Sequence, residues 1–553
     1  MKPEEIEAAI REAVQDTIRD LPRVLINTTS GRLLDKSKQA SIFESLPVYT
    51  KLISSMTTCI DISRIEHEVA QYYRYAAFSH TWEEDEPFFE KVTHIFVYDL
   101  ERSPTHDKLR MFCSIVQDAG FHWAWSDNCC INKQDHVVLQ EALVTMFRWY
   151  HDSSLVIVFL RGVRSPSKRG DLVKSIWNTR AWTFQEYHAA KVVRFYTEDW
   201  KPYLSPDIPN HKDSPEIISE MEEATGIPAR ALKTLRPDMN DIREKLSLAS
   251  QRRVTFVEDS AYSLFGIFTV SLPVVYGEGD KALGRLLAHL LASSGDTSIL
   301  AWTGRSGTFN SCLPASITVF NQLPSSHIPS TISDTEVVPN PRPSSLNLTS
   351  ATKLYDRLHD LHVPSLSGKR IRIPCITFKL GRPMRTPEHA FRAKVDALGI
   401  VEIITTEDLS QLDSMYLVHP WIDFLLARQA VGGGEDILAE GGGPGADGPV
   451  LRTPTLKVVT RLRQSLGARR AKPTHDSASL ASPSLESEAD KRTQVLQFVD
   501  RLRRPFGALL FTPTRHNVAE YRRVATGNVI TVQIQKDTRL DSLIPNSRML
   551  DVL

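Results

Sequence analysis

Leu155–Leu160 reads LVIVFL, six apolar residues in a row with no polar alternation. A run this short is far below the roughly 20 apolar residues of a membrane span. It fits the buried centre of a sheet covered on both faces. Its neighbours repeat the pattern. YRYAAFSH (Tyr73–His80) and FHWAWSDN (Phe121–Asn128) are short aromatic or small-apolar runs that end in polar residues, and VVRFYT (Val192–Thr197) closes the series. Helical spacing separates them. Leu109, Phe112 and Val116 share one face ahead of Gly120, a glycine placed as a helix C-cap. Asp135 is placed to N-cap a helix with Leu139, Leu143, Met146 and Tyr150 on one side. SIWNTRAWTFQEYHAAK predicts one further helix carrying Trp177, Ala181, Phe184 and His188 on a common face. Strands alternating with helices at this spacing predict an α/β fold, a parallel sheet with helices on both faces.

Such sheets bind ligands beyond the carboxyl ends of their strands. Ser79, His80, Asp127 and Asn128 fall at that edge. Trp182 and Glu186 lie one helical turn apart, displaced from the apolar stripe, so an indole and a carboxylate face one way. That pair suits stacking on a ring and engaging a ribose; the alternative is a Glu186–Arg180 ion pair with Trp182 in the core. Asp127, Asn128, Asn132 and Asp135 either orient a ligand or hold their own loop by side-chain-to-backbone hydrogen bonds. Ser79–His80 beside Asp127 lacks the GxSxG setting of a hydrolase nucleophile. Glu83–Glu86 reads as a solvated acidic loop. GEGDKA (Gly277–Ala282) matches a dinucleotide fingerprint in letters only, since the preceding LPVVY is a poor strand and no acid ends the next one.

The chain of 553 residues exceeds one core and divides into several units. Residues 1–70 read as a polar helical region, 71–204 as the α/β domain, 205–302 as a helical extension and 303–350 as a Pro/Ser-rich linker. Residues 351–553 read as a β-rich C-terminal domain with a disordered insertion at about 430–495. Formal net charge is zero, which argues against a nucleic-acid or membrane-surface binder. The six cysteines form no CxxC pair, so no metal site is expected, and a reducing, cytoplasmic setting fits.

YAAFSHTW (Tyr75–Trp82), SDNCCINKQD (Ser126–Asp135) and RAWTFQE (Arg180–Glu186) resemble the three sequence blocks of fungal heterokaryon-incompatibility (HET) domains. The third block matches in full at Arg180, Trp182, Thr183, Gln185 and Glu186. Two positions depart: Glu83 stands where glycine is usual, and Lys133 where glutamine is usual. Leu246–Trp302, with Arg252, Glu258–Asp259, Tyr276 and Gly277–Gly279, is similar to the segment that follows HET domains. HET domains are in turn distantly similar to the Toll/interleukin-receptor (TIR) fold, so the resemblance implies a flavodoxin-like sheet. The Trp182–Glu186 spacing is similar to the TIR helix motif whose glutamate serves NAD⁺ cleavage.

The resemblance therefore implies a role in fungal self/non-self recognition and programmed cell death, with NAD⁺ as a substrate and no resident cofactor. Glu186 would be catalytic, with Ser79, His80, Asp127, Asn128, Arg180 and Trp182 binding substrate. The competing expectation is a non-enzymatic signalling module that works by self-association. Expected partners are a second copy or another incompatibility protein, with neither nucleic acid nor membrane involved.

Overall fold

The computed structural model describes residues 3–56, 59–204, 206–321, 347–386, 390–421, 488–515, 517 and 519–553. Its first sheet has six strands: β1 (Val24–Asn27), β2 (Arg32–Asp35), β3 (Tyr75–Ser79), β4 (Trp123–Trp125), β5 (Leu155–Leu160) and β6 (Val193–Thr197). They lie in the order β2–β1–β4–β3–β5–β6. β3 pairs in parallel with β4 and β5, and β5 with β6. Every residue of β3 and β5 is buried, as unbroken apolar runs require.

The sheet is not purely parallel. β1 and β2 form a hairpin whose first strand adds antiparallel to β4, inside a segment expected to be helical. Four-residue strands flanked by four helices leave almost no period-2 signal, which is why the hairpin is hard to see in the sequence. Its turn depends on Gly31, at φ +71°, where a Cβ would fall 2.8 Å from the Tyr98 ring.

Side-chain alternation places the covering helices. Phe78 faces one side and stacks on Phe112 of helix Pro104–Asp118 at 4.3 Å. Ala77 and its register partner Trp125 face the other side, where Trp125 meets Trp149 of helix His136–Asp152 at 5.5 Å. So the two helices cover opposite faces. Asp135 caps the second helix by accepting from the backbone N–H groups of Val137 and Val138.

The helix expected over residues 175–191 is broken. Ile176–Thr179 is a 3-10 turn, and the α-helix runs only from Trp182 to Ala189. The extension causes the break: the Arg253 N–H donates to the Thr179 carbonyl at 2.6 Å and the Arg253 carbonyl accepts from Ala181 at 3.0 Å. Those backbone groups would otherwise have paired inside one helix. The extension itself is helical, with Pro215–Thr225, Ile242–Ala249 and Lys281–Ser294 its longer members. Its glycine loop is already filled from within: the Gly277 and Gly279 N–H groups both donate to Glu258 Oε1, at 2.8 and 2.9 Å. An internal carboxylate sits where a phosphate would sit in a dinucleotide loop.

The C-terminal region is β-rich and barrel-like. Arg370–Lys379 pairs with Tyr416–Pro420, which pairs with Phe506–Pro513, and that with Glu520–Val524. Glu520–Val524 pairs in parallel with Ser547–Val552, which returns to Arg370–Lys379 and closes the ring. Helix Glu488–Leu502 falls at the end of the segment expected to be disordered; the rest of that insertion, residues 430–487, and residues 322–346 of the Pro/Ser-rich stretch lie outside the described residues. Arg523 ties barrel to extension. Its buried guanidinium donates to the carbonyls of Leu300 (2.8 Å), Trp302 (2.7 Å) and Cys312 (3.3 Å) and stacks over the Trp302 ring. Among the described residues no helix is long and apolar enough to cross a membrane.

Candidate functional site

Ser79 is the last residue of β3, so its side chain sits at the carboxyl rim of the sheet. Its Oγ accepts the Trp177 indole N–H at 2.8 Å and donates to Oε2 of Glu186. With a donor already on the oxygen, the hydroxyl proton is committed to the carboxylate. Glu186 is only 7% exposed, and its other oxygen takes no hydrogen bond from the described residues. Burial first, then the nearby Asp127 charge, push its carboxyl up to about 8, against the Ser79 hydrogen bond and the Arg180 and Arg252 charges. The ion pair that would have made Glu186 a plain structural acid is not formed with Arg180.

Trp182, one turn before Glu186, is half-buried against the extension. Nearby in the extension, Asp259 accepts the Tyr276 hydroxyl at 2.8 Å. Arg252 reaches the same region, donating to the Arg180 carbonyl and the Thr183 hydroxyl, both at 3.1 Å. Asp259, Tyr276 and Arg252 therefore wall the site, and Trp177 orients it. None was a candidate from the strand-edge rule, although Arg252, Asp259 and Tyr276 lie in the segment whose resemblance was visible.

Further out, Trp82 is 42% exposed and donates its indole N–H to Asp127 at 3.0 Å. The Lys133 amine lies 3.5 Å from the centre of that ring and the Arg180 guanidinium 5.9 Å. Asp127, Arg180, Trp182, Ser79 and Glu186 are thus gathered around one rim.

His80 and Asn128 take another position. Both are buried beneath the rim on Glu86, His80 Nε2 at 2.9 Å from its Oε2, with the Asn128 amide donating to the same oxygen. Lys108 donates to Glu86 and, at 2.9 Å, to Glu83, while the Glu83 N–H donates to Glu86 at 3.2 Å. The acidic run expected to be solvated instead sends Glu86 inside, because the loop turns its side chain onto three buried donors. Burial works to raise that carboxyl, but His80 and Lys108 outweigh it and hold it down to about 2. Among the described residues no group of three or more His, Cys, Asp or Glu side chains is placed to hold a metal ion.

Comparison with known proteins agrees with the first two blocks, Tyr75–Trp82 and Ser126–Asp135, which lie inside the matched residues. Residues 75–169 match the family described as Heterokaryon incompatibility protein (HET). The chain is also 35% identical over 223 residues to the vegetative incompatibility protein HET-E-1 of Podospora anserina; the match covers 38% of this chain and 16% of that protein's length. No solved structure matches. Strand β3, the loops after β3 and β4 and the whole Glu86 network fall inside the matched residues, whereas Trp177 and Glu186 follow them, so the rim is framed in part by a segment, residues 75–169, that matches the heterokaryon-incompatibility (HET) family.

Proposed function

We propose that this protein acts in fungal heterokaryon incompatibility by hydrolysing NAD⁺ at the nicotinamide–ribose bond, with Glu186 as the catalytic carboxylate. The observation that carries the reading is the Glu186 carboxyl itself, held at the sheet rim by one neutral donor, with no hydrogen bond to its second oxygen among the described residues. The parallel strand order β4–β3–β5–β6 supports a flavodoxin-like, TIR-like winding, in which ligands bind at this edge.

The chemistry asks little of the protein. Nicotinamide leaves with the C–N electron pair, the ribosyl carbon becomes oxocarbenium-like, a water oxygen bonds to it, and the water's proton is released. The products are ADP-ribose, nicotinamide and a proton. A single carboxylate beside the ribose stabilises that cationic centre. Glu186 is protonated in the free protein near pH 7, since its carboxyl titrates at about 8. The positively charged nicotinamide ring favours its ionised form on arrival. Trp182 stacks on the ring, Asp127 and Ser79 position the substrate and acid, and depletion of NAD⁺ in the cytoplasm kills the cell.

A second reading, assembly without chemistry, is favoured by one surface. Phe256 and Val257 are more than half exposed, and the Phe256 ring meets the part-exposed Tyr276 at 5.4 Å, an apolar strip suited to a second copy or another incompatibility protein. One experiment separates the readings. Purified wild type, tested dilute and clustered, is expected to convert NAD⁺ to ADP-ribose, and Glu186→Gln to lose the conversion about a thousandfold. Cell killing by Glu186→Gln with NAD⁺ untouched would establish assembly in its place.

A further inference from the structure

Lys133 puts a positive charge into the second block, at the position where glutamine is usual. Its amine is held at 3.0 Å by the side-chain oxygen of Asn128, lies 3.5 Å over the exposed Trp82 ring and is 5.8 Å from the Phe88 ring. An ammonium has three donors; here one has a neutral acceptor, and the described residues place no carboxylate within ion-pair distance. Asp127, Glu86 and Glu90 act on it only from further away, and Asp127 is committed to the Trp82 indole N–H. Burial outweighs them and lowers the Lys133 pKa. On the same ring, the Arg180 guanidinium lies 5.9 Å from the centre and forms no ion pair among the described residues, with Glu186 and Asp259 acting on it only from further away. A cation withdrawn from water without a paired carboxylate is left under-compensated, and a cation–π contact alone does not make up the difference. Two cations thus lie on one solvent-facing aromatic ring with no carboxylate in ion-pair contact among the described residues, a mouth suited to an added anion.

We infer that Lys133, Arg180 and Trp82 form a subsite for the phosphate of a nucleotide, with the indole under its ring or sugar and the two cations on its phosphate oxygens. This deepens the NAD⁺ reading by assigning the half of the substrate that does not react, and it rests on that reading only for which nucleotide is bound. A pyrophosphate anchored at the mouth is how remote binding energy fixes the reacting ribose near Glu186. Lys133, as a freely turning point charge, suits the bridging phosphates, and Arg180 suits a bidentate grip on one of them.

The test measures binding of ADP, adenosine and inorganic pyrophosphate to the full chain by calorimetry, so no turnover is needed. ADP is expected to bind at least tenfold more tightly than adenosine. Lys133→Gln and Arg180→Gln should each weaken ADP about tenfold and leave adenosine unchanged, consistent with one charged hydrogen bond. Lys133→Arg should retain the affinity, which separates loss of charge from loss of fold, and a thermal melt of each variant checks the fold directly. Trp82→Ala should weaken ADP and adenosine alike while sparing pyrophosphate. Equal binding of ADP and adenosine, or a folded Lys133→Gln that binds ADP as the wild type does, overturns the subsite. If ADP binding follows the expected pattern but NAD⁺ is never consumed, only the enzymatic reading fails. If NAD⁺ is consumed and Lys133→Gln changes neither its KM nor ADP binding, only the subsite fails.

Discussion

Two carboxylates are buried at the end of β3, Glu186 on Ser79 and Glu86 on the adjacent His80, and their surroundings push them in opposite directions. Glu86 is held at about 2 and Glu186 is pushed up to about 8. Burial drives both the same way. The difference is in what meets the oxygens: Glu86 has donors on both, namely Lys108 and the Glu83 N–H on Oε1, and His80 and Asn128 on Oε2. Glu186 has a single hydroxyl on one oxygen and another acid, Asp127, nearby. A saturated acid braces a loop, whereas an undersupplied one is ready to exchange a proton or stabilise a passing cation. Divergent environments of this kind separate scaffold from chemistry in one small region.

Neutralising each acid in turn should break that pairing most sharply. Glu86→Gln leaves Lys108 buried with only the partly covered Glu83, and should destabilise the protein by about 3 kcal/mol, read as a shift in urea midpoint. Glu186→Gln removes no compensated charge and should not destabilise the protein; at neutral pH it should be the more stable form, because the wild type there holds a proton that its unfolded chain has released. Equal losses would mean that both acids are structural.

The next effect is on pH dependence, where the two acids have opposite signs. Glu86 is depressed below its ordinary 4.5, so its contribution is present above that value and lost as pH falls towards 2. Glu186 is raised above 4.5, so the folded state holds a proton that the unfolded state has released, and stability falls as pH rises from about 4.5 to 8. Urea unfolding followed across pH should therefore show an acid limb that Glu86→Gln flattens and an alkaline limb that Glu186→Gln flattens. An alkaline limb unchanged in Glu186→Gln would show that this carboxyl is not raised.

The sequence made some of this contrast legible. The rim was readable because LVIVFL, YAAFSH and FHWAW show no alternation, and ligand edges follow from parallel strands. Ser79 and Glu186 were therefore nameable, although no local pattern says that they touch, 107 positions apart. The Glu86 network was not readable: four charges in a row look solvated, and only the fold reveals Lys108 and His80 beneath them. Spacing places Trp177 on an apolar helix stripe, and its polar use depends on the helix break at Arg180. That break is set by Arg253, over 70 residues away, a long-range backbone pairing with no periodic signature. The N-terminal hairpin escaped for the reverse reason, its strands being too short to carry a period.

The smallest effect falls on the residue that keeps Glu186 single-partnered. Trp177 packs edge-on against Phe195 at 5.5 Å and donates to Ser79, so Trp177→Phe removes the donor while conserving most of the ring packing. Without that N–H the Ser79 oxygen is free to turn, and its proton is no longer committed to Oε2. The carboxylate form of Glu186 then loses its one hydrogen bond, which favours the neutral acid and moves its titration upward. In kcat/KM against pH, the free protein's acid appears as a rise through about pH 8 in the wild type. In Trp177→Phe that rise should move to higher pH, with kcat at neutral pH reduced about fivefold, the scale of one neutral hydrogen bond, and KM little altered. A mere packing defect would lower thermal stability and leave the position of the limb alone. A carboxyl-labelled NMR titration of Glu186 reads the same shift without catalysis, and a Trp177→Phe curve lying on the wild-type curve would show that the indole only fills space.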